Sequence, residues 1–284
     1  MKLDRRRFVV GAAAIAVAPR AAMANPLGLP PGIQLYSVRD QMKEDLDMAL
    51  AAVATAGFTE VESAALPKRP AKEIRAALNR AGLKCVSSHH GFSDLNADPA
   101  AAFAYDAELG SKFIICASPG HRDPSAKSAT FSLDDWKFCA ETFNHWADAA
   151  ETHGLKLGYH NHIHEFDMVD GTSPYELLLK ECDAKKMTFE MDCGWVRVAK
   201  QDPIELMRKH PLRFSMLHVK DFHLNTGTEA KVTELGRGDI DYVPVLAQAR
   251  KNQHIQHAFV EQEAFDVPWQ ESLKIDADYV RKLR

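Results

Sequence analysis

The stretch Tyr159-His160-Asn161-His162-Ile163-His164-Glu165 sets three imidazoles and a carboxylate within six residues, where an apolar run around Leu157 stops. Neutral imidazole nitrogens and ionised carboxylates are the usual ligands of a borderline divalent ion, although on a loop the same residues can be satisfied by backbone and water. Three later apolar runs end in the same kind of residue, at Met191-Asp192, Leu217-His218-Val219-Lys220 and Val260-Glu261. If these ends meet, Glu165, Asp192, His218 and Glu261 bring three carboxylates and one imidazole to one point. Acids gathered in this way repel, and a cation removes that cost. Such a set suits manganese, magnesium, cobalt or zinc, with positions left for substrate oxygens.

For distant ends to converge, the chain has to be built from repeated strand and helix units. Apolar runs read as strands over 32–38, 60–64, 84–89, 112–117, 156–160, 188–192, 214–219 and 258–261. Between them, helical periodicity covers 46–56, 71–81, 99–109, 133–153, 174–182, 203–209 and 242–251, with a last helix from Asp276. Gly57, Gly82, Gly110 and Gly154 follow helices where a left-handed residue is wanted, and Pro99, Pro174 and Pro203 sit where a first turn accepts proline. Near-continuous apolar strands such as Phe113-Ile114-Ile115-Cys116-Ala117 belong in a parallel sheet covered on both faces. Eight such units predict an α/β fold, a single (β/α)8 TIM barrel over residues 25–284, whose C-terminal strand ends ring one mouth. An open doubly wound sheet is the rival, but Gln34-Leu35-Tyr36-Ser37-Val38-Arg39 lacks the glycine-rich first turn such sheets commonly carry.

Composition narrows the function. The 284 residues are 46% hydrophobic and 26% charged, enough for one large core, and the net charge of -4 gives no basic excess for a phosphate backbone, so nucleic acid is not expected as a partner. Cys85, Cys116, Cys139, Cys182 and Cys193 are odd in number and lack CxxC spacing, which argues against a disulfide framework or a zinc knuckle. Residues 1–24 read as a twin-arginine export signal: Arg5-Arg6-Arg7-Phe8, an apolar stretch from Val9 to Ala18, then Ala22-Met23-Ala24 as the cleavage site. The apolar run is short for a membrane span, no other is long enough, and a periplasmic mature protein starting near Asn25 is expected. Replacing Arg5 and Arg6 by lysine should leave unprocessed protein in the cytoplasm on fractionation. Unchanged export would remove the twin-arginine assignment.

The mature chain, nearly end to end, resembles the sugar phosphate isomerase/epimerase family, the xylose-isomerase-like barrels. The matching pieces are Gln34-Leu35-Tyr36-Ser37-Val38-Arg39, Tyr159-His160-Asn161-His162 with Glu165-Phe166, Met191-Asp192-Cys193-Gly194-Trp195, His218-Val219-Lys220-Asp221, Gly236-Arg237-Gly238-Asp239-Ile240-Asp241 and Val260-Glu261-Gln262. That resemblance implies a metal held by Glu165, Asp192, His218 and Glu261. Many relatives carry their first ligand roughly where His160 stands, which leaves His160 or His162 as the replacement for Glu165. It also implies proton removal next to a sugar carbonyl through an enediolate, with Glu261 and Glu165 as bases on opposite faces. Lys220 and His90 are candidates for moving a proton to or from oxygen, and His160, His162, Trp195, Arg237, Gln34 and Tyr36 for contacting the substrate. The expected activity is that of a sugar isomerase or epimerase. A lyase acting on 3-keto-glycosides is the alternative, with an apurinic-endonuclease-like or non-catalytic sugar-binding barrel further off. The expected partner is a small sugar or keto-sugar, and a homo-oligomer is left open.

Overall fold

The computed structural model describes residues 26–224 and 230–283. The expected leader therefore lies outside the described residues. Eight parallel strands close a barrel: β1 (Gly32–Gln34), β2 (Glu60–Ser63), β3 (Lys84–His90), β4 (Phe113–Cys116), β5 (Lys156–His160), β6 (Met187–Asp192), β7 (Phe214–Val219) and β10 (His257–Val260). Between the last two lies an antiparallel pair that periodicity did not reveal, β8 (Asp221–His223) and β9 (Lys231–Thr233). Among the described residues no helix is long and apolar enough to cross a membrane.

Helix ends follow local chemistry. Helices Leu46–Ala56, Ala71–Ala81 and Pro99–Leu109 each stop at a glycine in the left-handed region, Gly57, Gly82 and Gly110. Helix Leu133–Glu151 starts at a capping box in which Ser132 and Asp135 satisfy each other's backbone N–H. Two expectations shift. The first strand ends at Gln34 instead of Val38, because the Gln34 side chain accepts from Tyr36 N and turns the chain into a 3-10 helix, Leu35–Val38. The last helix runs Trp269–Lys282, well ahead of Asp276.

The core has two parts. One large cluster lies between strands and helices and includes Val61, Cys85, Tyr159, Phe189 and Phe214. A second, of Val86, Phe113, Ile115, Met216 and Phe259, draws on strands that are not all neighbours and so fills the barrel interior. All five cysteines are buried without disulfides.

Two β-bulges set what the barrel interior contains. Strict alternation would keep residues two apart on one face. Register shifts at Val61/Glu62 against Cys85/Ser87 and at Phe189/Glu190 against Phe214/Met216 insert one extra residue each, Val86 and Ser215. Phe214 therefore packs outward while Met216 and, two further on, His218 face inward; on β3 the same change turns His89 inward in place of His90. Close approach also constrains the mouth. A Cβ on Gly194 would lie 2.7 Å from the Lys220 carbonyl oxygen, so any larger residue would push on the chain that carries Lys220.

Candidate metal centre

The motif opening the fifth strand end has a separate contact for each residue. Tyr159 donates its hydroxyl to Glu165 Oε1 at 2.7 Å, and the Glu165 Oε2 accepts from His162 N at 3.0 Å. Asn161 is fully buried; its Oδ1 accepts from Asp192 N at 3.1 Å and its Nδ2 donates to Asp192 O at 3.3 Å, which fixes the end of β6. His160 turns into the barrel.

There His160, Asp192, His218 and Glu261 gather, all buried, each with one ligand atom within 4.8 Å of the others. His218 Nδ1 is 3.2 Å from Glu261 Oε2 and 4.0 Å from Asp192 Oδ2; His160 Nε2 is 4.0 Å from the same Asp192 oxygen. Asp192 divides its work. Its Oδ1 caps the short helix Cys193–Val198 by accepting from Trp195 N at 2.8 Å, while Oδ2 is buried with no hydrogen-bond partner among the described residues. Burial raises the Asp192 carboxyl to about 7 against the opposing pull of Lys220 and His218. A buried acid oxygen without a donor is costly, and a cation beside this one would remove that cost.

The donor set fits a divalent ion. Donors about 2.1 Å from one ion lie at most about 4.2 Å apart, so the observed spacing needs only slight closure. Two carboxylates match the charge of a dication, and two imidazoles supply nitrogen.

Glu165 is outside this group, contrary to the sequence expectation, because both of its oxygens are taken by Tyr159 and the His162 backbone. Burial raises its carboxyl despite the Tyr159 bond. It pins the loop that carries His162, and His160 takes its place in the cluster with Asp192, His218 and Glu261. His90 also differs. Its Nε2 is 2.7 Å from Asp106 Oδ2 on the surrounding helix Pro99–Leu109, so it faces the outer shell and not the barrel interior.

Lys220 is fully buried beside the ligands, donating to Glu261 Oε2 at 3.1 Å and to Glu263 Oε1 at 2.6 Å. Burial works to raise the Glu261 carboxyl, but the Lys220 ammonium and His218 hold it well below the usual range. His162 is partly buried above His160, with ring centroids 4.8 Å apart, and burial lowers it to about 4 even though Glu261 pulls the other way. Its ring is neutral at pH 7. Trp195 lies under Lys220, whose Nζ is 5.0 Å from the ring centroid.

Three further expected substrate contacts each have partners within the protein. Gln34 is buried beneath the ligands and donates to Glu62 Oε1 at 2.8 Å. Tyr36 is 38% exposed with the Arg39 guanidinium over its ring. Arg237 pairs with Glu234 in its own turn, and the loop around it is shaped by Asp221, whose carboxylate accepts from Gly236, Gly238 and Ile240 N–H groups.

Residues 50–283 match the family model of the xylose isomerase-like TIM barrel. The chain belongs to this family. Among xylose isomerase-like barrels it is similar to a solved sugar phosphate isomerase/epimerase from Parabacteroides distasonis, at 25% identity and a TM-score of 0.73, covering 95% of this chain and 98% of that one. It is also 23% identical over 228 residues to an inosose dehydratase of Geobacillus thermodenitrificans, 70% of this chain and 76% of that protein. The inosose dehydratase of Geobacillus kaustophilus is 25% identical over 232 residues, 71% of this chain and 75% of that protein. The relatives are sugar-modifying enzymes, and this barrel is an enzyme of the same fold with a buried cluster of residues able to hold a metal ion.

Proposed function

We propose that this barrel is a divalent-metal-dependent enzyme that removes a proton beside the carbonyl of a sugar or keto-sugar. The observation that carries the reading is the unpartnered Asp192 Oδ2 facing His160, His218 and Glu261. When bound, a divalent ion supplies polarisation of a substrate carbonyl and neutralises charge on the enediolate. Two nitrogens among four donors favour a borderline ion such as cobalt or zinc over magnesium.

Glu261, held ionised by Lys220, is the base for the proton next to the carbonyl. The ammonium beside it bears on the fate of the enediolate. An enediolate can be reprotonated, which is isomerisation or epimerisation, or it can expel an oxygen substituent on the next carbon, which is elimination. Expulsion is eased by a cation that can stabilise the departing oxygen near the base, and the Lys220 ammonium, held charged by Glu261 and Glu263, stands there as a hydrogen-bond donor. A two-sided proton exchange would use a second carboxylate in the first-ligand position, where this chain has neutral His160 and turns Glu165 away. We therefore favour a lyase or dehydratase, in keeping with the dehydratase relatives, over the isomerase or epimerase that the solved relative's name suggests.

Product analysis in deuterated water tests the choice. With the protein loaded with manganese, 3-keto-glycosides should lose their aglycone and free ketoses should remain unaltered. Conversion of a free ketose to its aldose or epimer, with deuterium entering at the carbon next to the carbonyl and no aglycone released, would overturn the lyase in favour of the isomerase.

A further inference from the structure

We propose that Glu62, His89 and Glu190, buried one layer below the ligands, form a positioning tier that selects which nitrogen of His160 and of His218 faces the ion. The inference rests on the metal-centre reading. Each of the two rings spans both layers. His160 points Nε2 toward Asp192 Oδ2, at 4.0 Å, and Nδ1 toward Glu190 Oε2, at 3.2 Å. His218 is reversed: Nδ1 faces Glu261 and Asp192, while Nε2 lies 2.7 Å from Glu62 Oε1 and 3.2 Å from Glu190 Oε2. An ionised carboxylate can only accept, so the nitrogen it touches must carry the proton. The lone pair of His160 is then left on the side of Asp192, and that of His218 becomes available at Nδ1 once an ion, in place of that nitrogen, satisfies Glu261 Oε2 3.2 Å away.

The remaining contacts keep the two acids in place. Glu62 and Glu190 sit fully buried in one barrel layer, and two like charges there would repel. His89 stands between them, its Nε2 2.6 Å from Glu190 Oε2 and 3.0 Å from Glu62 Oε1, and its ring stacks on His218 at a 5.2 Å centroid distance. Gln34 adds a fourth nitrogen donor, to Glu62 Oε1. The reach of this tier is confined to the rings: none of its acids contacts Asp192 or Glu261, so it acts on the ion through the two histidines. A carboxylate behind a ligating histidine fixes ring and tautomer and strengthens the ring as a donor.

The rival is that the tier is itself a metal site, since His89, His160, Glu190 and His218 also lie within 4.8 Å of one another. A second ion there would have to take the nitrogens that already donate to Glu62 and Glu190. The two imidazoles would then bridge two ions as imidazolates. The lower nitrogen of each ring already stands at hydrogen-bond distance from a carboxylate, His160 Nδ1 from Glu190 and His218 Nε2 from Glu62, which favours the positioning role.

Zinc titration of the full mature protein, followed by isothermal calorimetry, separates the possibilities. The expected result is one ion per chain, lost in Asp192→Ala, and bound roughly ten- to a hundred-fold more weakly in Glu62→Gln and in Glu190→Gln, because a glutamine can turn its amide N–H toward the ring and reverse the tautomer. Nitrogen NMR of the zinc-loaded wild-type protein with labelled histidine reads the tautomers without any substitution, and so does not depend on a variant folding. His160 should be protonated at Nδ1 and His218 at Nε2. The opposite tautomers, or wild-type zinc affinity in both glutamine variants, would overturn the positioning role while leaving the metal centre standing. Two ions per chain, one of them lost in His89→Ala, would overturn it in favour of a second metal site. A wild-type protein that binds no zinc would overturn the metal centre and this inference together.

Discussion

Glu261→Gln is expected to lower turnover roughly 10²- to 10⁴-fold, the usual contribution of a general base, while the protein keeps its fold and still takes up a divalent ion. Glutamine preserves the size of the side chain and one oxygen that can face the ion, but it cannot accept a proton. Lys220 then loses one carboxylate partner and keeps the other, Glu263. Because Glu261 acts on the reacting carbon, the loss should fall on kcat more than on KM. Stopped assays with the metal-loaded variant, together with its metal content, check this. Near-normal turnover at full occupancy would move the base to another group at the mouth, and His162, neutral and partly buried above His160, is the next in line.

Much of the barrel was legible because its punctuation is local. A glycine that must be left-handed or a proline at a first turn acts through its own backbone: Leu46–Ala56, Ala71–Ala81 and Pro99–Leu109 end where their glycines predicted, and Pro99–Leu109 and Pro203–Lys209 begin at their prolines. Strands β5 and β7 also have the expected limits, since their apolar runs are bounded by charge. The failures are of a different kind. Helices of six residues, such as Phe92–Ala97 and Cys193–Val198, hold too few turns to show a period. The pair β8 and β9 leaves the barrel altogether, and its anchor, the Asp221 carboxylate on the Gly236–Ile240 backbone, is a contact between segments far apart in sequence.

The site was legible in its residue types and less so in its aim. Asp192, His218 and Glu261 end apolar runs and were visible as a converging set; the structure gathers them with His160. Which of two adjacent histidines faces inward is another matter. His89 and His90 look alike in sequence, and a bulge at Val86, formed by pairing with β2, decides between them. The same is true of Glu165. It has the right charge for a ligand and lies near the right strand end, but the Tyr159 hydroxyl and the His162 backbone reach it first. Glu62 and Glu190 stand within the runs read as strands over 60–64 and 188–192, but their depth in the barrel follows from strand register, which no pattern of types encodes.

Removing the Asp192 carboxylate should have the larger effect on the metal. Asp192→Ala is expected to abolish metal-dependent turnover, because it deletes a fully buried oxygen of the cluster that has no hydrogen-bond partner. Loss of a group behind a ligand weakens binding roughly ten- to a hundred-fold, and loss of the ligand itself should exceed that. The fold should survive the change. Alanine forfeits the cap on helix Cys193–Val198, which costs about 1 kcal/mol, but it also removes a buried carboxylate oxygen that has no hydrogen-bond partner in the absence of metal. Thermal unfolding then gives a reading independent of activity. An ion that binds only the folded state stabilises it by about 2.7 kcal/mol at a hundred times its Kd, so the wild-type Tm should climb as manganese or zinc is added while that of Asp192→Ala stays flat. Glu165→Gln is the contrast. With both oxygens of Glu165 turned to Tyr159 and the His162 backbone, that variant should retain the metal-dependent rise. If Glu165→Gln loses the rise and Asp192→Ala keeps it, the first ligand is Glu165 after all and Asp192 serves only to cap its helix.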